Sequence, residues 1–342
     1  MCPVGSPLRI GVAGVGRIGA MHAGIIARQT EGAVLAAVAD AHEPTAAAVA
    51  ADLQVPALSV ADLIASPDVD AVAICSSTDT HVALIEAAAG AGKAIFCEKP
   101  VSLDLAAVDR AIAAVEAAGV PFMVGFNRRF DPAHQSVHDA VSGGVVGEVH
   151  LARISSRDPS PPPVEYIKVS GGIFVDMMIH DFDMARYVVG SPVVEIFAKG
   201  AVLIDPAIGE AGDVDTASVM LTHANGAVTM IDNSRQAVYG YDQRLEVFGS
   251  QGMASSSNPL AHTGFTMTVD GVRAEPLPHF FLERYMDSYV REWAAFVAYV
   301  VDGGPSPVSG LDGRVPVQLG LAAWESVRTG QPVSIVEDAA RA

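Results

Sequence analysis

Three side chains in this sequence have the types needed to oxidise an alcohol: Lys99, Asp176 and His180. Asp176 and His180 stand four residues apart in "GGIFVDMMIHDFDMARYVVG", residues 171–190, with Asp183 three further on. At about 100° per residue the three share one helical face, while Phe174, Met178 and Phe182 point into packing. Oxidising a secondary alcohol needs a base for the hydroxyl proton while hydride leaves for a nicotinamide. Histidine, with an unperturbed pKa near ~6.5, suits that base at neutral pH. A lysine beside the same oxygen would stabilise the developing alkoxide. Two plainer readings compete: an Asp–His pair satisfied in the core, and a lysine solvated at the surface. An unpaired polar group on a buried helix costs roughly 1–3 kcal/mol. The helical groups are therefore either paired inside or lining a polar cleft.

The elements that would position them begin at residue 8. Up to residue 125, apolar runs ("LRIGVAGV", "AVLAAVAD", "DAVAICS", "AIFCEK", "PFMVGF") alternate with alanine-rich helical stretches. Fully apolar strands between helices predict a doubly wound parallel sheet covered on both faces. "GVAGVGRIGAMH" sets Gly14, Gly16 and Gly19 after the first strand and at the start of a helix. That spacing permits a tight turn, close approach to a pyrophosphate, and free amide donors at Arg17 and Ile18. Asp40 ends the second strand, about 20 residues past the last glycine, where an acid accepts from an adenosine ribose and repels a 2′-phosphate. With no arginine at Ala41 or His42, NAD is expected rather than NADP. Ser76, Ser77 and Thr78 lie at a strand's carboxyl end and join the candidate cofactor lining, as do His81 and Glu98. For His81 a structural role outweighs a catalytic one. Lys99, before Pro100, is held extended at the next strand end. Asn127 and Arg129 follow at the one after, near cofactor or substrate.

After residue 128 the segments lengthen and alternate, as in "EVHLARISSRD" and "DTASVMLTHANGAVTMIDNSR". Asn225-Gly226 between two such runs predicts a two-residue hairpin. We expect two domains, 1–127 binding a dinucleotide and 128–342 an α+β domain with a large, mostly antiparallel open sheet for substrate and oligomerisation. "SPPPVEY" reads as a rigid loop beside a site. Trp293, Tyr289 and Phe296 recur at helical intervals, as core or subunit interface.

Composition narrows the partners. A net charge of −18 repels phosphate backbones and anionic surfaces, so neither nucleic acid nor membrane is expected. No apolar run reaches the ~18 residues of a membrane span, and the first residues lack a signal-peptide pattern. Cys2, Cys75 and Cys97 are odd in number without metal spacing, which suits a reducing cytoplasm. His180 and Asp183 lack a third ligand at fitting spacing, so no metal is expected.

With these residues in hand, the chain resembles the glucose–fructose oxidoreductase/inositol dehydrogenase/rhizopine-catabolism (Gfo/Idh/MocA) family over nearly its whole length. The glycine loop, Glu98-Lys99-Pro100, "GFNRRFDP" and the helix at 171–190 carry the likeness. "SRDPSPPPVEYIKVSGGIFVDMMIHDFDMARY" and "NSRQAVYGYDQRLEVFGSQG" look like its bacterial inositol 2-dehydrogenase branch. The resemblance implies a Rossmann domain, an α+β second domain and a homotetramer. It also implies a cyclic polyol substrate, myo-inositol first, oxidised with NAD. It places Lys99, Asp176 and His180 at the catalytic positions, and Asp158 and Tyr239 at positions that hold the polyol. Another inositol isomer, an aldopyranose, or a non-catalytic NAD/sugar sensor are the alternatives.

Overall fold

The computed structural model describes residues 6–336; Cys2 lies outside them. The described residues divide into two compact units, 6–127 with 287–317, and 128–286 with 318–336. Residues 287–317, read from sequence as part of the second domain, group with the first.

In the first unit, strands β1 (Leu8–Ala13), β2 (Ala33–Ala39), β3 (Ala71–Ile74), β4 (Ala94–Glu98) and β5 (Phe122–Gly125) form a parallel sheet in the order β2-β1-β3-β4-β5. Helices α1 (Arg17–Gln29), α2 (Glu43–Leu53), α3 (Val60–Ala65), α4 (Thr78–Gly90) and α5 (Leu105–Ala118) cross between them. β3 is buried at every position, as a strand covered on both faces must be. α5 starts where Asp104 accepts from Ala106 N and stops at Gly119, which turns left-handed at φ 64°.

A 3-10 turn (Asn127–Phe130) spans the boundary, and the second unit continues with α6 (Pro132–Ser142), β6 (Val149–Arg157) and α7 (Val164–Ser170). A π-helix (Ile173–Met177) runs into α8 (Ile179–Val189). β7 (Val193–Ala201), α9 (Pro206–Glu210), β8 (Thr216–His223), β9 (Val228–Ser234), β10 (Asp242–Gly249) and β11 (Met253–Ser256) follow, then a separate hairpin of β12 (Phe265–Thr268) and β13 (Gly271–Ala274). α10 (Phe281–Asp302), α11 (Gly310–Thr329) and β14 (Val333–Ser334) close the described chain, with the unit divisions falling inside α10 and α11. The main sheet runs β11-β10-β6-β9-β8-β7-β14, antiparallel except for β6 beside β9. β8 alternates buried and open positions, the pattern of a sheet with one covered face. α8 lies against β6 and α6 against β10.

The Asn225-Gly226 turn does join β8 to β9, but with three residues in the loop. His223 N donates to Ala227 O at 2.9 Å and Gly226 N to His223 O at 2.9 Å. The Asn225 side chain accepts from Ala227 N at 3.1 Å, and Gly226 alone adopts positive φ, 89°. One left-handed residue makes a turn with a bulge; two would be needed for the shorter loop.

Candidate active site

The first unit builds a dinucleotide cradle at the carboxyl ends of its strands. Gly14, at φ 87°, lets the chain turn against the Ser76 backbone, where a side chain would collide. Gly16 faces open space out to 4 Å, and Gly19 presses on the Gly14 carbonyl. α1 starts at exposed Arg17 without a side-chain cap, so its first amides are available to an anion. Asp40 braces the loop: Oδ2 accepts from Val15 N (2.7 Å) and Oδ1 from His42 N (2.8 Å). An open middle glycine, uncapped amides and a strand-end carboxylate fit NAD. Ser77 is the N-cap residue of α4, and Ser76 and Thr80 share a hydroxyl hydrogen bond of 2.6 Å. His81 is buried, its ring nitrogens against the carbonyls of Ser76 (3.0 Å) and Pro100 (2.9 Å). Burial lowers its pKa; a neutral ring donates to one of these two carbonyls, whichever its tautomer selects.

Lys99 is half-buried just past β4, and its backbone amide donates to Glu98 Oε2 at 3.1 Å. Glu98 is itself anchored. Trp293 Nε1–H donates to His22 Nδ1 (2.8 Å), so the other ring nitrogen carries the proton facing Glu98 Oε1 (2.8 Å). Trp293 and Phe296 therefore belong to the core of this unit, beside Phe96 at 4.6 and 5.8 Å between rings. The Asn127 amide nitrogen donates to Ser288 Oγ at 3.1 Å in the same unit.

In the second unit the 171–190 stretch departs from one regular helix. Gly171 and Gly172 take φ of 89° and 72°, and Asp213 Oδ1 accepts from Ile173 N at 2.9 Å. A Cβ on Gly172 would meet Asp213 and the Trp324 ring. The chain then makes a π-turn, Met178 N donating to Ile173 O at 2.8 Å, before α8 begins. Such wide turns concentrate at functional sites. From Gly172 to Ala185, Asp176 and His180 alone are not buried. Every apolar neighbour faces the interior, and these two open outward.

Asp183 leaves that pair. It is buried and holds Arg129 through both oxygens, at 2.9 and 2.6 Å. Asp181 is likewise buried, held by Arg128 and Ser156 at 2.6 Å each. The wide π-turn shifts the phase of the helix, so a face counted at 100° per residue does not carry through to Asp183.

Asp176 gathers neighbours instead. Tyr166 donates its hydroxyl to Asp176 Oδ1 at 2.8 Å, and Arg235 faces Oδ2 at 3.5 Å. "SPPPVEY" delivers that tyrosine, since Pro163 precedes the first turn of α7. Asp158, past the end of β6, lies in the same field. Burial lifts its pKa to about 6, with Asp176 and Asp181 adding and Arg235 and Arg128 opposing. Tyr239 is 49% exposed, its hydroxyl donating to Asp242 (2.7 Å) and accepting from Arg157 (3.0 Å). Tyr241, two residues on, is buried within the influence of Asp158, Asp181 and Arg128. No group of three or more His, Cys, Asp or Glu able to hold a metal occurs among the described residues.

Residues 8–126 match the model of the oxidoreductase family with NAD-binding Rossmann fold, and residues 134–255 match the GFO/IDH/MocA C-terminal domain. The chain belongs to the GFO/IDH/MocA family. Among its members, a myo-inositol 2-dehydrogenase of Thermotoga maritima is 49% identical over 96% of this chain and 99% of its own. An inositol 2-dehydrogenase of Rhizobium meliloti is 47% identical over 96% and 99%. A crystal structure of scyllo-inositol dehydrogenase from Lactobacillus casei with bound NAD(H) and scyllo-inositol is similar at a TM-score of 0.90, 28% identity, and coverage of 96% and 99%. The parallel first sheet and mostly antiparallel second sheet follow the GFO/IDH/MocA pattern.

Sequence reading missed Tyr166 and Arg235. Each lay inside a quoted stretch, but a tyrosine in a proline-rich loop and an arginine at a strand end carry no spacing signal. Only the fold brings them to Asp176.

Proposed function

We propose that the protein oxidises a secondary alcohol of a cyclic polyol with NAD, myo-inositol to its 2-ketone being the reaction it fits best. The outward opening of Asp176 and His180 from an otherwise buried segment carries this reading. When bound, NAD supplies the hydride acceptor. Gly14, Gly16, Arg17, Ile18 and Gly19 would hold its pyrophosphate, and Asp40 its adenosine ribose. Ser76, Ser77, Thr78 and Glu98 would line the remainder, with His81 bracing them and Asn127 on the same side.

His180 accepts the hydroxyl proton, and Asp176 orients the imidazole and holds a neighbouring hydroxyl. Lys99 donates to the reacting oxygen and stabilises its growing negative charge. Asp158 and Tyr239 take further hydroxyls, the Tyr239 hydroxyl being held by Asp242 and Arg157. Absorbance of NADH on mixing the protein, NAD and myo-inositol tests the whole reading. Silence with every inositol isomer and with aldopyranoses would leave a binding protein.

Two outcomes refine it. Changing Asp40 to Ser together with His42 to Arg weakens NAD and improves NADP use, because carboxylate repulsion of a 2′-phosphate is removed; a native preference for NADP would contradict the assignment. Asp158 is neutral below about 6 and a carboxylate above it. As a carboxylate it accepts from hydroxyls, so the KM for polyol falls as pH rises through that value. Asp158→Asn abolishes this step, and a KM profile identical to the native one would remove Asp158 from the site.

The relatives' activity and the reduced Cys75 and Cys97 favour a cytoplasmic enzyme. No helix among the described residues is long and apolar enough to cross a membrane. A homotetramer is also part of the reading. The open sheet face exposes Met220, Met230 and Phe248 among Arg153, Lys199 and Asp232, and this mixture of apolar groups and both charge signs suits a second copy. Sedimentation at micromolar concentration measures it.

A further inference from the structure

Arg235 follows β9 immediately, where a long basic side chain would ordinarily reach solvent. Its side chain is 1% exposed. The backbone explains how it is drawn in. Arg235 N donates to Asp215 O (2.9 Å), while Asp158 N donates to Ser234 O (2.9 Å) and Ala237 N to Asp158 O (2.6 Å). The ends of β6 and β9 and the approach to β8 are thus stitched together around one guanidinium.

Carboxylates meet it from three elements. Nη1 faces Asp176 Oδ2 of the π-helix at 3.5 Å, and Nη2 faces Asp213 Oδ2 at 3.3 Å. The other Asp213 oxygen holds the first amide of that π-helix. Asp158, past the end of β6, lies within its electrostatic reach, and Arg235 is the strongest of the charges that favour ionised Asp158. Tyr166 of α7 reaches Asp176 from its other side. Arg128 and Asp181 stand further out in the same field and oppose one another.

These contacts are long for an arginine chosen for hydrogen bonding. A structural guanidinium makes short forked bonds to one carboxylate, as Arg129 does with Asp183. Arg235 instead divides its two terminal nitrogens between Asp176 and Asp213, and its Nε has no hydrogen-bond partner. Carboxylates brought close together repel one another, and a cation between them offsets that repulsion. A buried guanidinium in turn would not persist without such partners.

We propose that Arg235 is a positioning residue, holding and aiming the Asp176 carboxylate while Asp213 fixes the turn that carries it. The inference rests on the reading of Asp176 and His180 as the proton-transfer pair. Arg235 touches no reacting atom; it acts through Asp176.

The test uses the full chain with NAD saturating and myo-inositol as substrate. Removing the cation makes protonation easier for each acid and for His180. Arg235→Gln therefore moves the acid limb of kcat upward by about one pH unit and lowers kcat at neutral pH about tenfold. Its melting cooperativity and NAD affinity stay native. Arg235→Lys keeps the charge and brings the acid limb back toward the native position. Asp213→Asn, which retains an acceptor for Ile173 N, acts oppositely and moves the acid limb downward. This second variant decides the matter should the glutamine protein not fold. A folded Arg235→Gln with the native pH profile, or Asp213→Asn with an unmoved or raised limb, overturns the proposal. If Asp176→Asn and His180→Ala themselves leave turnover and its pH profile native, the underlying assignment of the pair has failed instead.

Discussion

His180→Ala lowers kcat for polyol oxidation by roughly 10²–10⁴-fold, the worth of a positioned general base. The ring must be neutral to accept a proton, so the native rate rises with pH as His180 loses its own. In the alanine protein that rise disappears along with the rate. Asp176→Asn separates two roles for the neighbour. A smaller loss than in His180→Ala means Asp176 only orients the imidazole; an equal loss means the carboxylate shares the proton's path. The segment is otherwise buried from Gly172 to Ala185, and His180 stands at its opening. Alanine there removes little core packing, so His180→Ala should melt like the native protein, whereas Asp176→Asn weakens the ion pair to buried Arg235 and melts lower. A His180→Ala protein with native turnover and native pH dependence would leave this segment with a structural Asp–His pair.

Lys99→Ala lowers kcat by a similar order, roughly 10²–10³-fold, since one donor to a developing oxyanion is worth about that much. NAD affinity changes little. The cradle of Gly14, Gly16, Gly19 and Asp40 does not include the Lys99 ammonium, and the backbone amide bonded to Glu98 survives the substitution. Fluorescence titration with NADH measures the second half of the expectation, and single-turnover rates measure the first. Combining Lys99→Ala with His180→Ala provides an internal check. Groups that serve one oxygen lose less together than the product of their separate losses. Strict multiplication would mean that they act in different steps, and a single variant with near-native turnover would return Lys99 to the solvated surface.

Much of this architecture is legible in residue order because its signals are local. Apolar runs such as "DAVAICS" become fully buried strands, and the three glycines sit where a turn, an open approach and a tight packing contact require them. Asn225-Gly226 marks a hairpin truly, but the number of residues in its loop depends on which one turns left-handed. Signals that depend on distant partners fail. Asp183 shares a helical face with Asp176 on a regular wheel, and the π-turn set by Gly172 and Asp213 breaks that count. Tyr239 and Tyr241 are two residues apart in "VYGYDQR", yet one is half-exposed and the other buried. Arg235 closes a strand-like run in the sequence with no signal of its own, and it is enclosed. None of these outcomes is written in spacing, because each depends on partners and burial that only the folded chain supplies.

Trp293 and Phe296 fill the first unit next to Phe96, and Trp293 fixes the ring that faces Glu98. Chains leave the ribosome amino end first, and domains generally fold as they emerge. Here the first five strands emerge without the residues that complete their core. A nascent chain halted near residue 130 would expose an apolar pit around Phe96, a surface that chaperones bind and proteases cut. Mature protection there comes only after residues 287–317 have been made. Translation must pass through the whole second unit before the first is finished, so the two ripen together rather than in turn.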